Sequence, residues 1–346
     1  MSKKMFGIDL GTSKIKIYKK GEGIVLDEKN VIAIANKKDL IAAGDEAYEM
    51  CEKAPKHISV SYPVKLGVIA EIAHMQMLLN HFFEQLIGKK TAFGAASDFL
   101  IAVPTDITEV EKKSFHDLIV NSSVKSKTIG MVEKPIATAL GMGLDIYNAH
   151  GVLTVDIGAD TTEISILSLG GIVLSKLLPL GGNRIDEAIK AFVKKRYNLV
   201  IGDKTAEHIK TNLVSAYTGQ KESLFVCGRN VVTGLPCEME IFSDEVNEVV
   251  KELLITIIDS VKMILERTPP EISADIYRSG LYLTGGCSQM RDLDKLFSHE
   301  TNLNVNLAED PENTVANGLG SLIENGGSNK LSAGVIQTAF SKAKLK

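Results

Sequence analysis

The chain has 346 residues, enough for two lobes, and 39 basic against 43 acidic side chains give a formal net charge of -4, which argues against a general nucleic-acid binder. Apolar residues make up 45% of it, yet no apolar run approaches the roughly 18 residues of a membrane span, and Asp9 interrupts the basic start too early for a signal peptide. Cys51, Cys227, Cys237 and Cys287 lie far apart without a C-x-x-C pair, so they read as reduced thiols of a soluble cytoplasmic protein.

In chain order, "MFGIDL" reads as a strand, "GTS" as a tight turn and "KIKIYKK" as a second strand with alternating polarity. "GIVL" and "VIAIA" extend this into an antiparallel meander closed by "NKKDLIAAGDEA". "GVIAEIAHMQMLLNHFFEQLIG" turns helical, with Ile69, Ile72, Met75, Leu79, Phe82, Phe83 and Leu86 on one face. A buried strand "SDFLIAVP" and a helix with an acidic first turn, "DITEVEKKSFHDLIVNS", follow. The strand "SKTIGMVEK" leads into the helix "PIATALGMGL", where Pro135 suits the first turn and Gly141 or Gly143 the end.

From "GVLTVDIGADTTEISILSLGGIVL" the opening pattern returns: a strand ending in Asp, a glycine turn with hydroxyls, then an alternating strand. Asp9 and Asp156 stand 147 residues apart, so the chain looks duplicated at the level of whole lobes. The remainder reads as two amphipathic helices, a strand pair around "TGLP", a long helix stopped by Pro269 and Pro270, the strand "GLYLT" and a final helix "ENTVANGLGSLIE".

Three glycine turns carry the chemistry. "DLGTSK" and "DIGADTTE" offer closely spaced backbone amides and hydroxyls to phosphate oxygens. Asp9 and Asp156, which end their strands, are poor phosphate ligands and suit Mg2+ with its water shell. The third turn, "TGGCSQ", lets backbone approach an adenosine because glycine removes the side-chain obstacle.

In this order the turns, with "GIVLDEKNVIAI", "RNVVTGLP", "ERTPPEISADI", "GLYLTGGCSQMRDLDKLF" and "PENTVANGLGS", resemble the actin-like ATPase superfamily and, within it, the bacterial actin homologue family MreB. The composition, free of tryptophan and rich in lysine and isoleucine, is similar to that of the MreB paralogues of Spiroplasma. The resemblance implies an α/β, two-lobed actin-like (duplicated ribonuclease H-like) fold with a nucleotide cleft between the lobes. It places residues 1–144 and 311–346 in the first lobe, with a small subdomain at about 32–75. Residues 145–310 form the second, with a small subdomain at about 182–240.

Carried over position by position, the resemblance assigns Gly11, Thr12 and Ser13 to the first phosphate turn, which continues into Lys14 and Lys16 where the family usually has uncharged residues. It assigns Gly158, Thr161 and Thr162 to the second, with Ala159 and Asp160 standing where the family has glycine. Glu207, Lys210 and Asn212 fall on the helix that touches ribose and base, although the family usually has Glu where Asn212 stands. On residue type alone, Glu207 and Lys210 are equally a solvent-facing helix pair. Gly285, Gly286 and Ser288 match the adenosine turn, and Asp9 and Asp156 the Mg2+ ligands, so ATP or ADP with Mg2+ is the expected cofactor set.

Departures from the family pattern are as informative. The family carries Glu-Glu-Pro where this chain has Glu133, Lys134, Pro135, so a lysine stands at the water-handling position. A protonated lysine cannot accept a proton, and a positioned base is typically worth about 10^2 to 10^4 in rate. Lys134 is suited to pairing with the terminal phosphate or to a solvent-facing position. Asp160, where the family has glycine, is suited to replacing the carboxylate or to capping its own turn. Lys134, Glu133, Asp160 and Thr161 are therefore the catalytic candidates.

The expected function is a filament-forming ATP-binding cytoskeletal protein in cell shape or motility, with weak ATP hydrolysis. A nucleotide-bound filament subunit without turnover is the alternative, and a kinase of the same superfamily a more distant one. Expected partners are further copies of the chain, other MreB-like paralogues and, at the inner face of the cell membrane, anionic lipid. Lipid contact would use the loop around Phe93 or the tail, read as a short amphipathic helix with Leu331, Val335, Thr338 or Ala339 and Lys342 at helical spacing, and with Phe340 and Leu345 flanking Lys342, Lys344 and Lys346.

Overall fold

The computed structural model describes residues 4–36, 38–87, 96–217, 221–325 and the backbone of 335–336. Its described residues divide into two compact units: Met1–Ala149 with Leu167–Val173 and Asn313–Lys346, and His150–Ile166 with Leu174–Glu312.

The first unit is built on a sheet in the order Val335–Ile336, Ser126–Glu133, Ser97–Val103, Met5–Leu10, Lys14–Lys19, Gly23–Lys29. Met5–Leu10, Ser97–Val103 and Ser126–Glu133 run parallel, and Lys14–Lys19 pairs antiparallel to Met5–Leu10. The central strands carry near-continuous apolar runs because helices cover both faces. Met75, Leu78, Leu79, Phe82 and Phe83 are the buried stripe of the helix Ile72–Ile87.

The five-stranded sheet of Val305–Leu307, Leu281–Thr284, Val152–Ile157, Thr162–Ser168 and Gly171–Leu178 repeats the same order. Val152–Ile157, Leu281–Thr284 and Val305–Leu307 are parallel, as their counterparts are. The duplication expected from "GIDLGTS" and "TVDIGAD" is thus a duplication of sheet topology. In both sheets the aspartate sits toward the carboxyl end of a central parallel strand, where ligands bind in open α/β sheets.

Several local expectations change. The helix expected from Gly67 starts at Ile72, because Val64–Lys65 and Val68–Ile69 first form a two-stranded ribbon. Leu66 and Gly67, both at positive φ, make its two-residue turn, the backbone geometry that suits a twisted hairpin. The segment closing the meander is itself a strand, Asp39–Ala43, followed by the short helix Asp45–Glu49. The tail is not helical at Val335–Ile336: these residues pair antiparallel with Val132 and Met131 at the sheet edge. Phe93 and its loop, and residues 326–334 and 337–346, lie outside the described residues.

One helix contact fixes the position of the junction after Glu133. The helix Lys134–Gly141 lies against Thr314–Glu324 so closely that a Cβ on Gly141 would come within 1.8 Å of the Thr314 carbonyl oxygen. A Cβ on Gly318 would come equally within 1.8 Å of the Ala137 carbonyl oxygen. Glycine on each helix therefore lets backbone meet backbone. Alanine gains about 1 kcal/mol in helix propensity, but forcing a methyl into such a contact typically costs about 1–3 kcal/mol. Gly318→Ala is accordingly expected to lower unfolding stability by up to about 2 kcal/mol, measured by urea denaturation; increased stability would show that the helices separate freely.

Candidate functional site

The first glycine turn is braced from behind. Gly11 packs tightly, since a Cβ there would lie 2.8 Å from the Lys14 carbonyl oxygen. Asn30, fully buried, donates from Nδ2 to the Gly11 carbonyl at 2.7 Å and from its backbone N–H to the Ser13 carbonyl at 2.8 Å. Both bonds hold carbonyls on the near side of the turn and fix its shape. In the sequence Asn30 is marked only by its place in "GIVLDEKNVIAI". Thr12 is buried, Ser13 half-buried, and Lys14 pairs with Asp27 at 3.5 Å.

Asp9 ends the strand beside this turn, and the sheet register sets its neighbours. Val132, Ala102, Asp9, Lys16 and Asp27 lie in one row across five strands. Residues directly opposite each other share a face, so Lys16, itself buried, belongs to the same face as Asp9. Two residues beyond Val132 the chain enters the helix Lys134–Gly141, with Glu133 as an extended, half-buried N-cap and Pro135 in the first turn. Lys134 Nζ reaches back to 3.0 Å from Asp9 Oδ1. The contact is one of charge, off the direction of a hydrogen bond, since that oxygen has no aligned donor. Both side chains are largely buried, 15% and 12% exposed, so Lys134 does not turn to solvent.

The second turn is laced to the start of the helix Gly182–Tyr197. Gly182 N–H donates to the Gly158 carbonyl at 3.0 Å and Asn183 N–H to the Ala159 carbonyl at 2.7 Å. Carbonyls of the turn thereby satisfy amides that the first turn of a helix leaves open. Asn183 Nδ2 also donates to Asp160 Oδ1 at 2.7 Å, which gives Asp160 a partner from the helix start. Thr162, buried, donates to the Leu180 carbonyl at 2.7 Å, and Thr161 accepts through its carbonyl from Gly158 N–H at 2.9 Å.

The third turn closes on the second. Gly285 holds a φ of 87°, and a Cβ there would lie 2.4 Å from both Asp156 Oδ1 and the Ile157 carbonyl oxygen, so only glycine fits. Ser288 donates to the Gly285 carbonyl at 2.8 Å, while Gly286 is exposed. Cys287 Sγ donates to the Gly158 carbonyl at 3.4 Å, and burial pushes its thiol pKa up. This cysteine, read from sequence only as a reduced thiol, joins the two turns.

Lys210 on the helix Asp203–Leu213 joins the same cluster. Its ammonium lies 2.7 Å from Asp186 Oδ2 and 3.3 Å from the Gly182 carbonyl. Burial pushes the Asp186 carboxyl up, with the Lys210 ammonium working against it. Asp186 had no sequence signal beyond its place in an amphipathic helix. Glu207 is half-buried on the same helix, and Asn212 is exposed, donating to the His208 carbonyl one turn back at 2.9 Å. The geometry thus gathers Asp156, Gly158–Thr162, Lys210 and Gly285–Ser288 in one unit, and Asp9, Gly11–Lys16 and Lys134 in the other.

The two aspartates differ in their fit to a divalent cation. Asp156 is a half-buried carboxylate at a strand end, the hard oxygen donor that Mg2+ prefers. Asp9 fits such an ion poorly, because the Lys134 ammonium already lies against its carboxylate. Among the described residues no three His, Cys, Asp or Glu side chains gather as a metal cage, an arrangement that Mg2+ bound through phosphates does not need. No helix among them is long and apolar enough to cross a membrane.

The sequence profile described as "MreB/Mbl protein" matches residues 3–330. The cell shape-determining protein Mbl of Bacillus cereus (strain ATCC 10987 / NRS 248) is 39% identical over 321 residues, covering 92% of this chain and 95% of the relative. The cell shape-determining protein MreB of Escherichia coli (strain K12) is 38% identical over 323 residues, 92% of each chain. Among solved structures, MreB 5 of Spiroplasma citri, bound to AMPPNP or to ADP, superposes with a TM-score of 0.88 at 33% identity, over 94% of this chain and 97% of that one.

The Lys210–Asp186 pair makes a direct prediction. Removing one partner of a buried ion pair typically costs about 3–5 kcal/mol, so Lys210→Ala is expected to lose about 3 kcal/mol of unfolding stability at neutral pH. A carboxyl whose folded pKa is raised binds its proton more tightly folded than unfolded, so stability rises as pH falls through the folded value. The deficit of the variant should therefore shrink in acid, as urea unfolding at several pH values would reveal; a deficit that grows in acid would count against this pairing.

Proposed function

Because the chain belongs to the MreB/Mbl family of actin-like proteins, we propose that it is an ATP- and ADP-binding cytoskeletal subunit of the cytoplasm that forms filaments serving cell shape or motility, with weak ATP hydrolysis. The family match along nearly the whole chain supports the filament reading, as do the names of relatives called cell shape-determining. Nucleotide binding is supported by the solved relative at 33% identity bound to AMPPNP and to ADP, and by the three braced glycine turns of this chain.

In this reading the amides and hydroxyls of Gly11–Ser13 and of Gly158–Thr162 receive phosphate oxygens, and the Gly285–Ser288 turn receives the adenosine. Asp156 is the residue that would hold Mg2+, which would add positive charge beside the phosphates of a nucleotide that carries it. The observation that carries weak turnover is the contact of Lys134 Nζ with Asp9 at 3.0 Å. An ammonium committed to a carboxylate has no lone pair with which to take a proton from water. Asp160, joined to Asn183, is held at the helix start, which disfavours its use as a replacement base. The same contact favours the second reading, a subunit that keeps its nucleotide as a fixed ligand.

Sedimentation with ATP, ADP and no nucleotide, with phosphate release followed in parallel, separates these readings. Nucleotide-dependent pelleting with slow release is expected. Pelleting indifferent to nucleotide would refute the gated filament, and no release at all would leave the fixed-ligand subunit. Lys134→Glu is expected to raise release at least about tenfold in Mg2+, toward the 10^2 to 10^4 of a positioned base; an unchanged rate would remove residue 134 from the water-handling position.

Contact with anionic membrane belongs to the same proposal and rests on basic residues beside apolar ones around Phe93 and in the tail. Exchanging Lys342, Lys344 and Lys346 for Glu, together with Phe93→Ser, should abolish pelleting with anionic liposomes. Undiminished pelleting would rule out both segments.

A further inference from the structure

Nucleotide sites of the kind proposed above face a charge problem: a triphosphate brings several negative charges to a turn whose strand already ends in a carboxylate. In the first unit that carboxylate is Asp9, and the cation found against it belongs to the chain. Lys134 Nζ lies 3.0 Å from Asp9 Oδ1, and both side chains are largely buried. Lys16 stands directly opposite Asp9 in the register and is itself buried. Asp27, the next residue of the row, pairs with Lys14 at 3.5 Å. Lys14, Lys16 and Lys134 thus bring cations of the chain's own to this turn, beside Asp9 and Asp27.

We propose that Lys134 serves as the resident cation of the first phosphate turn, so that this chain binds ATP and ADP with little dependence on Mg2+. The inference rests on the nucleotide reading and deepens it. Asp9 cannot hold a divalent ion without displacing an ammonium or accepting two cations side by side, and like charges at such distance repel strongly where water is excluded. The ammonium needs no displacement. It neutralises Asp9 and carries three N–H donors on a flexible stem, which suits it to phosphate oxygens as a point charge. Its helix is held in place by the glycine contact with Thr314–Glu324, so Lys134 approaches from a fixed backbone.

The test uses the full-length protein and fluorescently labelled ATP, titrated in excess Mg2+ and in excess EDTA. The wild-type dissociation constant is expected to change by less than about threefold between the two, because the neutralising charge is built in. Lys134→Ala should lose about tenfold or more in EDTA and recover with Mg2+, the scale of one charge-assisted hydrogen bond. Lys134→Arg, which keeps the charge, should stay Mg2+-indifferent. A wild-type protein that loses tenfold or more in EDTA would overturn the proposal by itself, with no variant required to fold. Lys134→Ala as indifferent to Mg2+ as the wild type would take the role from Lys134. Failure to bind labelled ATP in Mg2+ as well as in EDTA would instead overturn the nucleotide reading, and the proposal with it.

Discussion

A carboxylate at the end of a buried central strand needs a positive partner, and how Asp9 obtains one organises the first unit. In its row the parallel neighbours Ala102 and Val132 carry no charge and the antiparallel one is Lys16, while the ammonium in ion-pair contact with it is that of Lys134. The chain supplies the charge from the helix that follows the third parallel strand, and that helix must approach closely enough for a lysine in its first turn to reach. Gly141 and Gly318 permit the approach by letting two helix backbones touch. Sheet register, helix packing and site electrostatics are thus one connected requirement.

The second unit repeats the topology but solves its turn differently. In the first, an asparagine just after the strand Gly23–Lys29 holds the carbonyls of the turn. In the second, carbonyls of the turn are held by helix amides, and Cys287 ties them to the third glycine turn. Duplication therefore preserved the position of the aspartate and the glycine turn while the bracing diverged. The first turn is backed by a single buried residue, the second by the start of a helix.

The strands, the long helices and the duplication were legible because they depend on periodicity and on glycine turns, which are local. The family pattern likewise located Lys134 as an odd residue in a meaningful place. What sequence could not show was which way that lysine points: toward phosphate, solvent or carboxylate depends on a register spanning residues 9, 102 and 132. Asn30, Asp186 and Cys287 escaped for the same reason. Each acts on a segment far away in the chain, and each looks unremarkable beside its own neighbours. The ribbon at Val64–Ile69 was missed because its apolar residues also fit a helical period, and the Leu66–Gly67 turn decided between the two.

The pairing of Val335–Ile336 with Met131 and Val132 has a consequence for how the tail can be studied. The strand Ser126–Glu133 is the last of the parallel set, and these two residues occupy its outer hydrogen-bonding groups just before the chain turns into the Lys134 helix. Cutting the tail ahead of Val335 would uncover an open strand edge at that place, and open edges recruit other chains. A truncated protein that clumps, or that joins filaments abnormally, would then be reporting exposed backbone rather than lost lipid affinity. Charge exchange beyond residue 336 leaves the edge closed and keeps the two effects apart.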